Sequence, residues 1–265
     1  MRSAGPENPQ ALPLQEAVRE RYAAKALEMA EGSACCDGDA CCGEGSGACG
    51  EGYSADELSA LGLRPGQSLG CGNPTLLAEP RPGETVLDLG SGAGLDVLLS
   101  ARRVAPGGHA FGVDMTDEML AVARCNQATS GIENATFLKG TLEQLPLDDK
   151  SVDVVISNCV INLVADKAAV LREIARVLRP GGRLAVADMV AIEELPASVK
   201  RSLDEWAGCV AGTIPIEEYT ASLRDAGLGD VDIEVTREVH LPGGTGAIAS
   251  AYIRARKSDG AAAPA

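Results

Sequence analysis

The chain has 265 residues, 45% of them hydrophobic and 23% charged, which leaves room for one large α/β domain with appendages or two small domains at roughly 150 residues each. A formal net charge of −15 and an aromatic content of 3% argue against a nucleic-acid partner, because counterion release needs clustered Lys and Arg, and single strands need stacking rings. No apolar run approaches the roughly 18 residues of a membrane span, and the N-terminus has no apolar stretch behind a basic start, so a cytoplasmic chain is expected.

In chain order, residues 12–31 are rich in helix formers and place Leu14, Val18, Tyr22, Ala26 and Met29 at helical spacing, which predicts an amphipathic helix. The next segment, GSACCDGDACCGEGSGACGEG, sets Cys35, Cys36, Cys41, Cys42 and Cys49 among glycines. It has no hydrophobic period and cannot bury itself without a ligand. Nine cysteines in a cytoplasmic chain point to soft-metal binding, redox work or catalysis before a disulfide framework. Ser54 and Glu57 stand at capping-box spacing and predict a short helix over 54–62. A loop then carries Leu69-Gly-Cys-Gly-Asn-Pro74.

From Arg81 onward strand and helix signals alternate. Strands are predicted over Thr85–Leu89, Ala110–Val113, Ala135–Leu138, Val152–Ser157 and Arg183–Ala187, with helices over Leu95–Val104, Asp117–Thr129 and Lys167–Leu178, the last ended by Pro180-Gly181-Gly182. Further helices are expected over 197–210 and 215–226, late strands over Val231–Val235 and Ala247–Ala255, and a frayed tail from Ser258. This alternation predicts an α/β fold with a mostly parallel sheet covered on both faces.

Val86-Leu87-Asp88-Leu89-Gly90-Ser91-Gly92-Ala93-Gly94 reads as a buried strand running into a glycine turn and a helix, where a ligand can approach the backbone at a helix N-terminus. Asp114 closes the next strand, where a carboxylate can accept from two ribose hydroxyls. The glycines fall at Gly90, Gly92 and Gly94 with Leu95 following, which lacks the third glycine of the dinucleotide pattern and disfavours a nicotinamide enzyme. The set resembles class I S-adenosylmethionine-dependent methyltransferases. That resemblance implies a Rossmann-like, seven-stranded, mostly parallel sheet with the last strand antiparallel. It also implies a cofactor loop of Asp88, Gly90, Ser91, Gly92 and Gly94, with Asp114 and Met115 at the ribose. Thr141, Leu142 and Glu143 would then lie at the adenine, and Asn158 beside the methyl donor.

Cys159 stands at the C-terminal end of the predicted fourth strand, where open α/β sheets place their ligands, although a buried thiol is also a common small hydrophobe. Cys71 in Gly70-Cys-Gly72 and Cys209 in Ala207-Gly-Cys-Val-Ala-Gly212 sit among small residues that let a bulky soft ligand close in. Together with Ser157-Asn-Cys-Val-Ile-Asn-Leu163, these three segments resemble arsenite methyltransferases over roughly residues 52–235. The resemblance implies that Cys71, Cys159 and Cys209 bind trivalent arsenic as substrate. It also implies that a cysteine pair forms a disulfide to restore the trivalent product, and that thioredoxin or glutathione resets the enzyme. Cys35 or Cys36 is favoured as a fourth, upstream thiol, although the cluster's spacing would also suit zinc or simple metalloid scavenging.

The expected organisation is an N-terminal helix and Cys-rich segment over 1–51, a methyltransferase core over 52–190, a substrate-binding and sheet-completing region over 191–257, and a tail over 258–265. A monomer is the default expectation, with arsenite and methylated trivalent arsenicals as the small-molecule partners. The competing readings are a methyltransferase for a small organic acceptor, indifferent to Cys159 and Cys209, and a sequestration protein, indifferent to Asp88 and Asp114. His109, His240 and Cys125 are read as loop or surface residues, and Asp148, Asp149 and Asp153 as a solvated acidic turn.

Overall fold

The computed structural model describes residues 11–32, 53–62, 70–196, 199, 210–241 and 246–259. Among them the elements run α1 (Ala11–Gly32), α2 (Ala55–Ala60), α3 (Pro74–Ala78), β1 (Thr85–Leu89), α4 (Leu95–Val104), β2 (His109–Asp114), α5 (Asp117–Ser130) and β3 (Ala135–Lys139). They continue with β4 (Val152–Asn158), a 3₁₀ turn (Ile161–Leu163), α6 (Lys167–Val177), β5 (Leu178–Ala191), α7 (Ile216–Asp225), β6 (Leu228–His240) and β7 (Ala247–Lys257). The seven strands form one sheet in the order β3-β2-β1-β4-β5-β7-β6. Strands β1 to β5 are parallel, and β7 alone inverts, pairing antiparallel with β5 and β6. The strand order reverses between β1 and β4, which opens a crevice at their C-terminal ends.

Side chains alternate across each strand, so the buried strands feed a core on either face of the sheet. Leu87, Leu89 and Val155 join Ile174, Leu171 and Tyr219 on one side. Val86, Val154 and Ile156 join Leu98, Leu120 and Phe137 on the other. A separate small cluster packs Leu14 and Val18 of α1 on Leu163, as the helical spacing of that segment predicts. The capping box forms as read: the Ser54 hydroxyl accepts from Glu57 N at 3.2 Å and Ser54 N donates to the Glu57 carboxylate at 2.9 Å.

Several boundaries differ from the sequence reading. The strand expected over Arg183–Ala187 begins at Leu178 and runs to Ala191. Leu178 already pairs with Val152, and an irregularity in the β4–β5 ladder between Val152 and Val154 absorbs the Pro-Gly-Gly stretch. The late strands also extend, to Leu228–His240 and Ala247–Lys257. The loop read through Pro74 turns directly into α3, with Asn73 accepting from Leu76 N at 2.8 Å and Pro74 at the first helical position. Asp153 is not in a solvated turn: it lies in β4, accepts from Thr85 N at 2.8 Å and pairs with Arg179. Apart from residues 199 and 210, the helix expected over 197–210 lies outside the described residues, as do the Cys-rich segment and the last six residues of the tail. No helix among the described residues is long and apolar enough to cross a membrane.

Candidate active site

A cavity opens at the C-terminal ends of β1 and β4, walled by Gly90–Ala93, Asp114–Thr116, Gly140–Glu143, Asn158, Val160 and Leu163–Ala165, and covered by Leu14, Gln15, Val18 and Tyr22 of α1. Its floor is the glycine turn. Gly90, Gly92 and Gly94 have φ of 65°, 48° and 86°, a left-handed backbone that other residues enter at a cost. Space adds a second constraint: a Cβ on Gly94 would lie 2.7 Å from the Phe137 ring, and one on Gly90 2.5 Å from Val160. The turn is tied down from β2, since Gly90 N and Ser91 N donate to Val113 O at 2.8 and 3.0 Å. Asp114 accepts from Gly92 N at 2.9 Å and from Thr116 N at 2.8 Å. Of the residues expected to hold a cofactor, Asp88, Gly90, Ser91, Gly92, Asp114, Met115, Thr141, Leu142, Glu143 and Asn158 line this one cavity, and Gly94 lies in the turn beneath it.

The cavity is acidic. Asp88 and Asp96 are buried, and burial pushes their carboxyl groups and that of Asp114 upward from the ordinary carboxylate value. The neighbouring charges of Asp96 and Asp114 add to the rise at Asp88. Carboxylates crowded around one cavity favour a cationic occupant.

Next to the wall residues Asn158 and Val160, two cysteines separated by 88 residues meet. Cys71 and Cys159 are joined as a disulfide with their Cα atoms 6.1 Å apart. The glycines flanking Cys71 make this approach possible. A Cβ on Gly70 would fall 2.0 Å from the Asn158 amide carbon, and one on Gly72 would lie 2.8 Å from the Ala187 Cβ. Asn158 clamps the same loop, its Oδ1 accepting from Cys71 N at 2.9 Å and its Nδ2 donating to Gly72 O at 2.7 Å. So Asn158, read from sequence as a cofactor neighbour, lines the cavity with its amide turned to the Cys71 loop.

Cys159 is buried and left-handed, with φ of 59°, while its N–H donates to Ala187 O at 2.8 Å. A non-glycine residue held there stores backbone strain. Cys159→Gly is therefore expected to be more stable than Cys159→Ala by about 1 kcal/mol. Urea unfolding of the two variants under reducing conditions checks this, and equal midpoints would refute it.

Cys209, Cys35 and Cys36 lie outside the described residues, and among those described no cluster of three or more His, Cys, Asp or Glu could hold a metal ion. Cys125 is exposed on α5, and His109 bonds Thr136 across the sheet at 2.9 Å, away from the cavity. Sequence reasoning missed Tyr53, Asp96 and Asp188. Asp96 carried a signal in its place just after the glycine turn; Tyr53 and Asp188 carried none.

Comparison with known proteins gives the same picture. Residues 80–227 match a family described as a methyltransferase domain. The crystal structure of CrArsM, an arsenic(III) S-adenosylmethionine methyltransferase from Chlamydomonas reinhardtii, superposes with a TM-score of 0.67 at 33% identity, covering 78% of this chain and 75% of that one. The chain belongs to the arsenic(III) S-adenosylmethionine methyltransferase family. Its class I fold is that of the family. An arsenite methyltransferase of Halobacterium salinarum is 45% identical over 229 residues, which is 82% of this chain and 58% of that protein. The mouse arsenite methyltransferase is 41% identical over 138 residues, or 49% of this chain and 37% of that protein. This chain thus spans less than two thirds of the length of these curated relatives.

Proposed function

We propose that the chain transfers the methyl group of S-adenosylmethionine to trivalent arsenic held by cysteine thiolates. The meeting of Cys71 with Cys159, next to Asn158 and Val160 of the acidic cavity's wall, carries this reading. The residues present fit the donor: the glycine turn lines the cavity, Asp114 stands where a ribose would be recognised, and the buried carboxyl groups of Asp88 and Asp96 in the wall would favour a cationic group. When bound, S-adenosylmethionine supplies a methyl group already activated by its sulfonium.

On the acceptor side, Cys71, Cys159 and Cys209 are assigned as the thiolate ligands, soft donors suited to a thiophilic centre, and three of them leave the arsenic lone pair free as nucleophile. No general base is required, so the protein's task is alignment. Asn158 and the two flanking glycines seat Cys71, while Val160, Leu163 and the α1 residues Leu14 and Val18 supply apolar cover that limits water. Methylation formally oxidises arsenic from the trivalent to the pentavalent state, a loss of two electrons. A thiol pair that closes to a disulfide returns both electrons, and thioredoxin or glutathione then reduces that disulfide at the cost of its own oxidation. Cys35 or Cys36 is assigned as the upstream thiol of this cycle. The setting is taken as cytoplasmic and the working unit as a monomer.

The test is label transfer. Purified full-length chain, arsenite, radiolabelled S-adenosylmethionine and a thiol reductant are expected to yield labelled methylarsenicals. Donor binding with no labelled arsenical would transfer the chain to the organic-acceptor reading, and arsenite binding without donor binding would leave sequestration.

A further inference from the structure

Asp96 is a wall of the donor cavity and is buried in the first turn of α4. Its Oδ1 accepts from the Thr75 hydroxyl at 2.8 Å and its Oδ2 from the Tyr53 hydroxyl at 2.7 Å. The Tyr53 oxygen in turn accepts from Asn158 Nδ2 at 3.0 Å. Asn158 is the residue that grips both sides of Cys71 and directly precedes Cys159. Four groups distant in sequence therefore form one directed chain from the donor cavity to the thiol pair.

The direction of that chain is fixed at one end. The Tyr53 hydroxyl donates to Asp96 Oδ2 and presents its lone pair to Asn158, and the bonds that Asp96 accepts from Tyr53 and Thr75 favour its ionised form against the upward push of burial. That lone pair requires the amide nitrogen to face it, which turns Oδ1 toward Cys71 N. The segment bearing Tyr53 is held independently. Glu57 of α2 pairs with Arg103 of α4 at 3.0 Å, and Arg103 also donates to Thr75 O at 3.0 Å. Leu58 and Leu61 are buried in the core on that face of the sheet.

We propose that Tyr53 and Asp96 are positioning residues for the thiol pair: they orient the Asn158 amide, which seats Cys71 against Cys159 and fixes that pair relative to the methyl donor. The assignment rests on the proposed arsenic chemistry for its purpose, though not for its geometry.

The pair can be read without arsenic. In full-length protein equilibrated in glutathione buffers, the Cys71–Cys159 bond forms as two thiols are oxidised and one glutathione disulfide is reduced to two glutathiones. Peptide mapping by mass spectrometry gives that equilibrium constant. Tyr53→Phe keeps the ring and removes one oxygen. It is expected to lower the constant about tenfold, roughly 30 mV for a two-electron couple, while the Kd for S-adenosylhomocysteine stays within about twofold. Asp96→Asn keeps the shape but lets the side chain donate, and the same loss at the thiol pair is expected from it. An unchanged constant in Tyr53→Phe overturns the proposal, as does a parallel weakening of S-adenosylhomocysteine binding, which would mean general loosening. Should wild type methylate no arsenite while Tyr53→Phe still lowers the constant, the arsenic reading fails and the positioning role stands.

Discussion

Cys71→Ser and Cys159→Ser are each expected to cut methyl transfer to arsenite by at least about a hundredfold, with S-adenosylhomocysteine affinity within about twofold of wild type. Serine keeps the size of the side chain but replaces a soft, ionisable donor with a hard one that stays protonated. Arsenic held by the remaining thiols would be free to shift, and misplacement of a nucleophile by about 1 Å already costs on the order of a hundredfold. The donor cavity should be indifferent, because its floor is the Gly90–Gly94 turn stitched to β2, and neither cysteine sulfur takes part in that stitching. Label transfer and calorimetric titration on the same preparations separate the two effects. Activity retained above one tenth of wild type in either variant would remove that cysteine from the arsenic site.

The parts of the fold legible in the sequence are those set by short-range periodicity. Strand β1 begins and ends where the sequence places it, at Thr85 and Leu89, because a five-residue, mostly apolar stretch between Glu84 and the Gly90 turn is too short for a helix and has strand flanks. The start of β5 was not legible, since Leu178 ends a helical pattern and pairs with Val152 only through the ladder, a tertiary fact. Helix α3 was legible and overlooked: Asn73 and Pro74 are a cap and a first-turn residue in sequence as well as in structure.

The site divides in the same way. The glycine turn and Asp114 announce themselves because a backbone approached by a ligand needs glycine at fixed places. The three thiol motifs were readable as a resemblance, yet the reason for Gly70 and Gly72 appears only when Asn158 and Ala187 are seen against them. Asn158 shows the limit most clearly. Its position beside the cavity was predictable from strand order, but the direction of its amide depends on Tyr53, which is 105 residues away, and no local pattern encodes that.

A second large effect is expected in the pH dependence of stability, and Asp188 carries it. This β5 carboxylate is 0% exposed. Burial pushes its pKa from 3.8 up to about 7, against the hydrogen bond from Met189 N, the charge of Lys167 and the hydrogen bond from Asn162 N. Tyr219, whose buried hydroxyl has no hydrogen-bond partner among the described residues, is pushed above its ordinary value by burial and then by Asp188. The folded chain therefore binds the Asp188 proton more tightly than the unfolded chain. Its contribution to stability is fully present below pH 3.8, falls as the pH rises, and is gone above about pH 7. A rise of that size corresponds to at most about 4 kcal/mol. Asp188→Asn cannot ionise, so its stability relative to wild type should climb by up to that amount between about pH 4 and pH 8. An amide N–H facing Asn162 N or Met189 N adds a cost that is independent of pH, so only the slope is diagnostic. Denaturant unfolding at several pH values reads it, and parallel curves for the two proteins would show that Asp188 titrates as an ordinary carboxylate. The consequence reaches the site, because Asp188 accepts from Asn162 N at 3.2 Å and the Asn162 amide donates to Met189 O at 2.6 Å. These bonds pin the turn between Cys159 and the cavity-lining Leu163 to β5, so the segment that carries a proposed arsenic ligand is anchored on a group that changes charge near neutral pH.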